Sequence, residues 1–268
     1  MMTDVSSVPT ILVFDSGLGG LTVFREIAKA RPDASYIYVA DDAFFPYGQH
    51  DEATLVGRVV PLMGELIATH APDVVVIACN TASTLVLPHL RSAYAVPFVG
   101  TVPAIKPACS ASKTHRVSVL GTSGTVRREY TKALIRDFGQ GCEVNLVGSA
   151  RLASLAEAAL NGETVDDAAI AAEIAPCFLD GPARTDTVVL ACTHYPLLLD
   201  RFTALAPWPV AWIDPAPAIA RRTADLAHGG SQPRRPARFI FTSGARPSPA
   251  LARALAPLFS DFGARAVA

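Results

Sequence analysis

The chain has 268 residues, half of them hydrophobic and 18% charged, with a formal net charge of −1; this is material for one large domain or two of ordinary size. The near-neutral balance argues against nucleic-acid binding, since the nearest thing to a basic run is Arg234-Arg235 with Arg238 in a Pro-rich stretch. No apolar run approaches the roughly 20 residues of a membrane span, the polar start MMTDVSSVPT does not read as a secretory signal, and five scattered cysteines without a Cys-x-x-Cys read as reduced thiols of a cytoplasmic protein.

In chain order, the apolar run TILVF (10–14) predicts a strand, followed by the turn DSGLGG and a helix over 21–30. A strand at 35–40 leads into the loop Asp41-Asp42-Ala43-Phe44-Phe45-Pro46-Tyr47-Gly48 and a helix over 53–70. The strand DVVVIA (73–78) ends in Cys79-Asn80-Thr81, with a helix beyond. Strands follow at 98–102 and 116–121, then a second Ser-Gly turn with a helix over 124–138, and a strand at 143–148. Helices over 152–161 and 168–179 precede the strand 187–191, which runs into Cys192-Thr193-His194. The remainder gives a strand at 210–214, a helix over 216–227, a Gly/Pro/Arg loop at 228–237, a strand at 238–243 and a last helix. Strand–helix alternation with continuous apolar strands means α/β with mainly parallel sheets, buried on both faces.

The chain also repeats itself. ILVFDSGLGG (11–20) resembles VSVLGTSGTV (117–126), and DVVVIACNTAS (73–83) resembles DTVVLACTHYP (186–196), in the same order and at similar separations. Two similar doubly wound lobes are expected, 1–103 plus 213–268 and 104–212, the last segment being too short for a core of its own. Each half sets a Ser-Gly turn and a Cys turn at strand carboxyl ends, where open α/β sheets bind ligands. Two such lobes face to face would share one cleft containing both cysteines.

Cys109, Cys142 and Cys177 sit in ordinary contexts and read as small hydrophobes. Cys79 and Cys192 each end a strand ahead of polar residues and a helix, a setting that favours a thiolate. The pair could be a redox couple, but the adjacent motif is missing. It could bind metal with His194 and Asp15, but ligands scattered singly lack the close pairs of zinc sites. Or the two thiols could act as acid and base on opposite faces of one carbon, which the duplicated frame favours. DSGLGG lacks the third glycine of a dinucleotide loop and any Gly-Lys-Ser/Thr, so its N–H groups are expected to hold an anion such as a carboxylate at a helix start. Asp15 reads either as an Asx-turn or N-cap residue, or as a carboxylate that binds an ammonium group or assists a thiol. Asp41, Asp42 and Tyr47 are a plausible cleft wall. His194, two residues from Cys192, is placed to tune that thiol or shuttle its proton.

FDSGLGGLTV, YVADDAFFPYG, ACNTAS, LACTHYPLL, IDPA and FTSG, in this order over almost the whole chain, resemble the glutamate racemases of the aspartate/glutamate racemase superfamily. The resemblance implies cofactor-independent, metal-free interconversion of L- and D-glutamate, supplying D-glutamate for peptidoglycan, in a protein that forms a homodimer. It implies that Cys79 and Cys192 are the catalytic thiols, Cys79 deprotonating D-glutamate and Cys192 L-glutamate, assisted by Asp15 and His194 respectively. Asp15-Ser16, Tyr47-Gly48, Asn80-Thr81 and Thr193-His194 match the substrate-binding pairs, and Thr122 and Thr125 fall in the facing turn. Glu157 falls where the family has a carboxylate near the histidine, although GSARLASLAE here replaces a common Cys-Pro segment. Asp42-Ala43-Phe44-Phe45 replaces a common Thr, Ala and Arg before Pro-Tyr-Gly. A racemase of aspartate or another amino acid would share the thiol pair. A two-lobed amino-acid-binding protein would need the cleft but not the thiols, and a cysteine hydrolase would leave the second thiol without a purpose.

Overall fold

The computed structural model describes residues 8–139, 141–229 and 237–256 and the backbone of 261–263. The loop predicted at 228–237 lies outside the described residues from 230 to 236, Arg234 and Arg235 included, as do the first seven residues. The strands are β1 (Thr10–Asp15), β2 (Ser35–Ala40), β3 (Val74–Ile77), β4 (Phe98–Gly100), β5 (Arg116–Thr122), β6 (Glu143–Ser149), β7 (Thr187–Ala191), β8 (Ala211–Ile213), β9 (Arg238–Phe241) and β10 (Asp261–Gly263). The helices are α1 (Leu21–Ala30), α2 (Glu52–His70), α3 (Asn80–Ala93), α4 (Ile105–Ala111), α5 (Ser123–Arg127), α6 (Glu129–Phe138), α7 (Leu152–Leu160), α8 (Asp167–Ile174), α9 (Leu199–Leu205), α10 (Ala216–Leu226) and α11 (Pro249–Leu255).

The strands form two sheets, β10-β9-β2-β1-β3-β4 and β6-β5-β7-β8, with every pairing parallel. The order β2-β1-β3-β4 in one sheet is the order β6-β5-β7-β8 in the other, so the repeat in sequence is a repeat in space. Parallel strands need crossovers, and the crossover helices cover both faces.

The period of two along each strand sorts side chains between those faces. In β1, Ile11 and Val13 pack with α1, α10 and α11, while Leu12 and Phe14 pack with α2 and α3. Continued past the end of β3, the alternation of Val75 and Ile77 carries Cys79 into the α2/α3 cluster. Past β7, the alternation of Val188 and Leu190 carries Cys192 into the cluster with α7, α8 and α9. The two thiols therefore occupy equivalent places in the two lobes.

Local chemistry sets the helix ends. Asp51 caps α2 by accepting from Thr54 N–H at 2.8 Å, and Thr122 caps α5 by accepting from Thr125 N–H at 3.1 Å. The single helix expected over 124–138 is two, α5 and α6, because Arg128 between them is extended (ψ 138°); that turn aims its guanidinium at Glu52 of the other lobe, 3.1 Å away. The helix expected over 168–179 ends at Ile174, with a short 3₁₀ turn (Ala175–Cys177) beyond, since Pro176 has no N–H to continue it. Strand β10 has no counterpart in the sequence pattern; its three residues pair with β9. No described helix is long and apolar enough to cross a membrane.

Leu12, fully buried at the centre of the larger sheet, tests this core. Leu12→Ala is expected to destabilise the protein by about 3 kcal/mol, read as a lower urea midpoint with an unchanged m-value.

Candidate active site

Asp15 ends β1, Thr122 ends β5, and Cys79 and Cys192 lie just past β3 and β7, so strand carboxyl ends from both sheets meet across one seam. Ser16, Phe45, Pro46, Tyr47, Gly48, Cys79, Asn80, Thr81, Thr122, Ala153, Cys192 and His194 enclose a cavity of about 20 Å³. That is room for about one water. Asp15, Thr125 and Thr193 stand behind this lining.

The first turn folds the way it does because glycine leaves room. Its amides are occupied by the protein itself. Gly17 N–H donates to Asp15 Oδ1 at 2.9 Å, which is an Asx turn, and Leu18 N–H donates to Glu157 Oε1 at 2.6 Å. Gly19 N–H approaches His194 Nε2 at 3.2 Å. The turn holds a carboxylate, as expected, and it is that of Glu157 from the facing lobe. A Cβ at Gly17 would run into Glu157 Oε1, and one at Gly19 into the His194 ring. Gly20, not Asp15, is the residue that caps α1.

His194 lies between two partners, with Nδ1 3.8 Å from Cys192 Sγ and Nε2 2.8 Å from Glu157 Oε1. The shorter carboxylate contact puts a proton on Nε2, which turns Nδ1 toward the thiol; Gly19 N–H can donate to Nε2 only when that nitrogen is bare. Burial alone would push the imidazole below its ordinary value, but the hydrogen bonds and charges of Cys192 and Glu157 outweigh it and hold His194 well above.

Cys79 has a different setting. It precedes α3 as its N-cap residue, as expected, yet its thiol is pushed up to about 12 by burial first and then by the charge of Asp15. Hydrogen bonds from Ala82 N–H and the Ser16 hydroxyl only partly offset this. The expected helix-terminus push toward thiolate is overridden, because desolvation disfavours the charged form more than the terminus favours it. Cys192 is followed not by an α-helix but by a 3₁₀ turn (Tyr195–Leu198). Asp15, fully buried, accepts from Thr193 Oγ1 at 3.1 Å across the seam, and burial raises its carboxyl above the ordinary range.

Thr81, Thr122 and Thr125 form a triangle of hydroxyls, with Oγ1–Oγ1 distances of 3.0, 3.2 and 3.0 Å. Asn80 is buried in the cleft wall, and neither atom of its amide has a hydrogen-bond partner among the described residues. Tyr47 and Gly48 line the cleft, but the Tyr47 hydroxyl turns inward and donates to Asp41 at 2.5 Å. Asp41 and Asp42, expected in the wall, face away from it. Asp41 bonds Arg58, and Asp42 bonds Ser243. Phe45 takes their place, its ring centroid 5.5 Å from that of His194; Ala153 carried no signal in the sequence. Among the other thiols, Cys177 is buried, while Cys109 and Cys142 are partly exposed, with Cys142 Sγ donating to the Cys109 carbonyl at 3.7 Å. Among the described residues, no three His, Cys, Asp or Glu side chains are grouped as metal ligands.

A model of the family described as Asp/Glu/Hydantoin racemase matches residues 15–223. Glutamate racemase from Brucella anthropi is 60% identical over 218 residues, covering 81% of this chain and 78% of that protein. The crystal structure of Escherichia coli glutamate racemase, in complex with L-glutamate and the activator UDP-MurNAc-Ala, matches with a TM-score of 0.88 at 40% identity, covering 96% of this chain and 97% of that one. A glutamate racemase isoform from Bacillus anthracis matches with a TM-score of 0.80 at 25% identity, covering 95% and 96%.

Two physical outcomes follow. Gly19→Ala displaces the His194 ring from Glu157, so the imidazole titration followed by NMR is expected to fall toward the ordinary ~6.5, while Gly57→Ala, whose Cβ would meet nothing within 4 Å, leaves it unchanged. Iodoacetamide labelling of Cys79, read by mass spectrometry, is expected to keep accelerating through pH ~10 rather than level off above the usual thiol value near ~8.5.

Proposed function

Since this chain is an amino-acid racemase that belongs to the Asp/Glu/Hydantoin racemase family, we propose that its substrate is glutamate and that Cys79 and Cys192 interconvert the L and D forms from opposite faces of the α-carbon. The observation that carries this reading is the pair of thiols at equivalent strand ends of two like lobes, both lining one small cavity. A substrate and product that are mirror images suit two equivalent groups facing each other.

Starting from L-glutamate, the Cys192 thiolate takes the α-proton and the electron pair of the C–H bond stays on carbon. The Cys79 thiol then delivers its proton to the other face, leaving D-glutamate, a Cys79 thiolate and a Cys192 thiol. The reverse reaction begins from that state. The protonated His194 ring steadies the Cys192 thiolate through Nδ1. Asp15, buried beside Cys79, disfavours thiolate there and keeps that group a proton donor in the resting cleft. The α-proton is a very weak acid, so carbanion character needs preorganised donors and exclusion of water. The unpartnered Asn80 amide and the Thr81 and Ser16 hydroxyls are the donors offered to the amino acid, and leaving that amide unpaired would cost about 1–3 kcal/mol. A cavity of about 20 Å³ cannot admit an amino acid, so the lobes part for entry and close for chemistry. The scheme calls on no cofactor or metal. The product D-glutamate would serve peptidoglycan synthesis, in a cytoplasmic homodimer.

The test is circular dichroism of L-glutamate incubated with chelator-dialysed protein, run in D2O with deuterium at Cα read by mass spectrometry. Loss of ellipticity with one deuterium entering per inversion is expected; unchanged ellipticity with folded protein sinks the proposal. Cys79→Ser and Cys192→Ser should each slow racemisation by about 10³-fold, and full activity in either contradicts the two-thiol scheme. Aspartate in parallel separates the substrates.

A further inference from the structure

The proposed chemistry leaves one buried charge unused. Asp41, just past β2, is fully buried, and four donors fill its carboxylate. Arg58 Nη2 and Thr242 Oγ1 each reach Oδ1 at 2.6 Å. Arg58 Nε reaches Oδ2 at 3.1 Å, and the Tyr47 hydroxyl reaches it at 2.5 Å. The donors come from α2, from the turn after β9 and from the cleft wall. Arg58 also sits over the Phe44 ring, 5.9 Å from its centroid, and the next residue, Phe45, meets His194. Buried ion pairs add little net stability over apolar packing, so they are weak evidence for a stabilising role alone. A guanidinium fork, however, fixes direction as well as charge. Here it fixes the group from which Tyr47 hangs. Tyr47 and Gly48 form the wall, with a Gly48 Cβ position only 3.1 Å from Thr122 Cβ of the facing lobe.

We infer that Arg58, acting through Asp41, is a positioning residue that sets where the Tyr47–Gly48 wall meets the bound amino acid. The inference rests on the reading of this cleft as the glutamate site. The wall contacts substrate and transition state alike, so loosening it weakens binding more than turnover.

The test compares wild type, Arg58→Met, Arg58→Lys and Tyr47→Phe in steady-state racemisation of both enantiomers. Arg58→Met is expected to raise KM about tenfold in each direction with kcat within about threefold. Arg58→Lys, which keeps the charge and loses the fork, recovers part of that loss; Tyr47→Phe, which removes one donor of four, raises KM about threefold. If Arg58→Met does not fold, the other two variants decide. Hydrogen–deuterium exchange over residues 44–50 reads the same tie without substrate, and should quicken in all three variants while β1 and β3 stay protected. Unchanged KM and unchanged exchange in the folded variants overturn the inference, as does a loss confined to kcat. A wild type that leaves glutamate untouched while the exchange result holds overturns the substrate reading and leaves the positioning role standing.

Discussion

The contact on which the site depends is the one between Glu157 and the first glycine-rich turn. One carboxylate oxygen takes the Leu18 amide of one lobe and faces the His194 ring of its own. These contacts lie in a partly buried seam, where hydrogen bonds to a carboxylate are strong and an unmatched partner is costly. It requires the turn to come within contact of an imidazole and a carboxylate, which only residues without side chains permit at Gly17 and Gly19. The glycines of DSGLGG therefore serve close approach between lobes. Their spacing resembles a phosphate loop only because both uses need exposed amides.

From that seam comes an asymmetry that the duplicated scaffold does not have. The strand alternation delivers Cys79 and Cys192 to matching places, but their neighbours differ. Cys192 has an imidazole beside it, held above its ordinary value despite burial. Cys79 has the buried carboxyl of Asp15 nearby, whose charge pushes its thiol up. The two thiols stand in unlike surroundings, and the two-thiol scheme proposed above needs one acid and one base at a time. The symmetry of the fold suits the mirror-image substrates; the asymmetry of the charges suits the proton inventory.

The site also carries costs that the fold alone does not explain. Asn80 buries an amide with no partner among the described residues, and Asp41 buries a carboxyl group behind the wall. The first belongs to a residue that lines the cavity. The second is completely satisfied, and its satisfaction ties three elements to the wall. Rigid support behind and unmet donors in front is the arrangement expected where binding is to be paid for by the ligand and not by rearrangement.

Much of this was legible in the sequence. Unbroken apolar runs such as VVVI fixed a parallel α/β fold, because such strands can be buried only between helix layers. The duplicated motifs pointed to two similar lobes, whose shared strand order the structure supplied, and Cys79, Cys192, Asp15, His194, Asn80 and Thr81 were marked by their place after strands. Side-chain direction and desolvation were not legible, since both depend on residues far apart in the chain. Whether Asp41 faced the cleft was decided by Arg58 and Thr242, and whether Cys79 favoured thiolate was decided by burial beside Asp15. Glu157, 37 residues from His194 in the chain, was marked by the family resemblance as a carboxylate near the histidine, but its second contact, with the Leu18 amide, was not legible. Local sequence determined which groups end up at the strand ends; tertiary structure decided which of them meet, because a proton's preference and a hydrogen bond's partner are set by what surrounds a group in space.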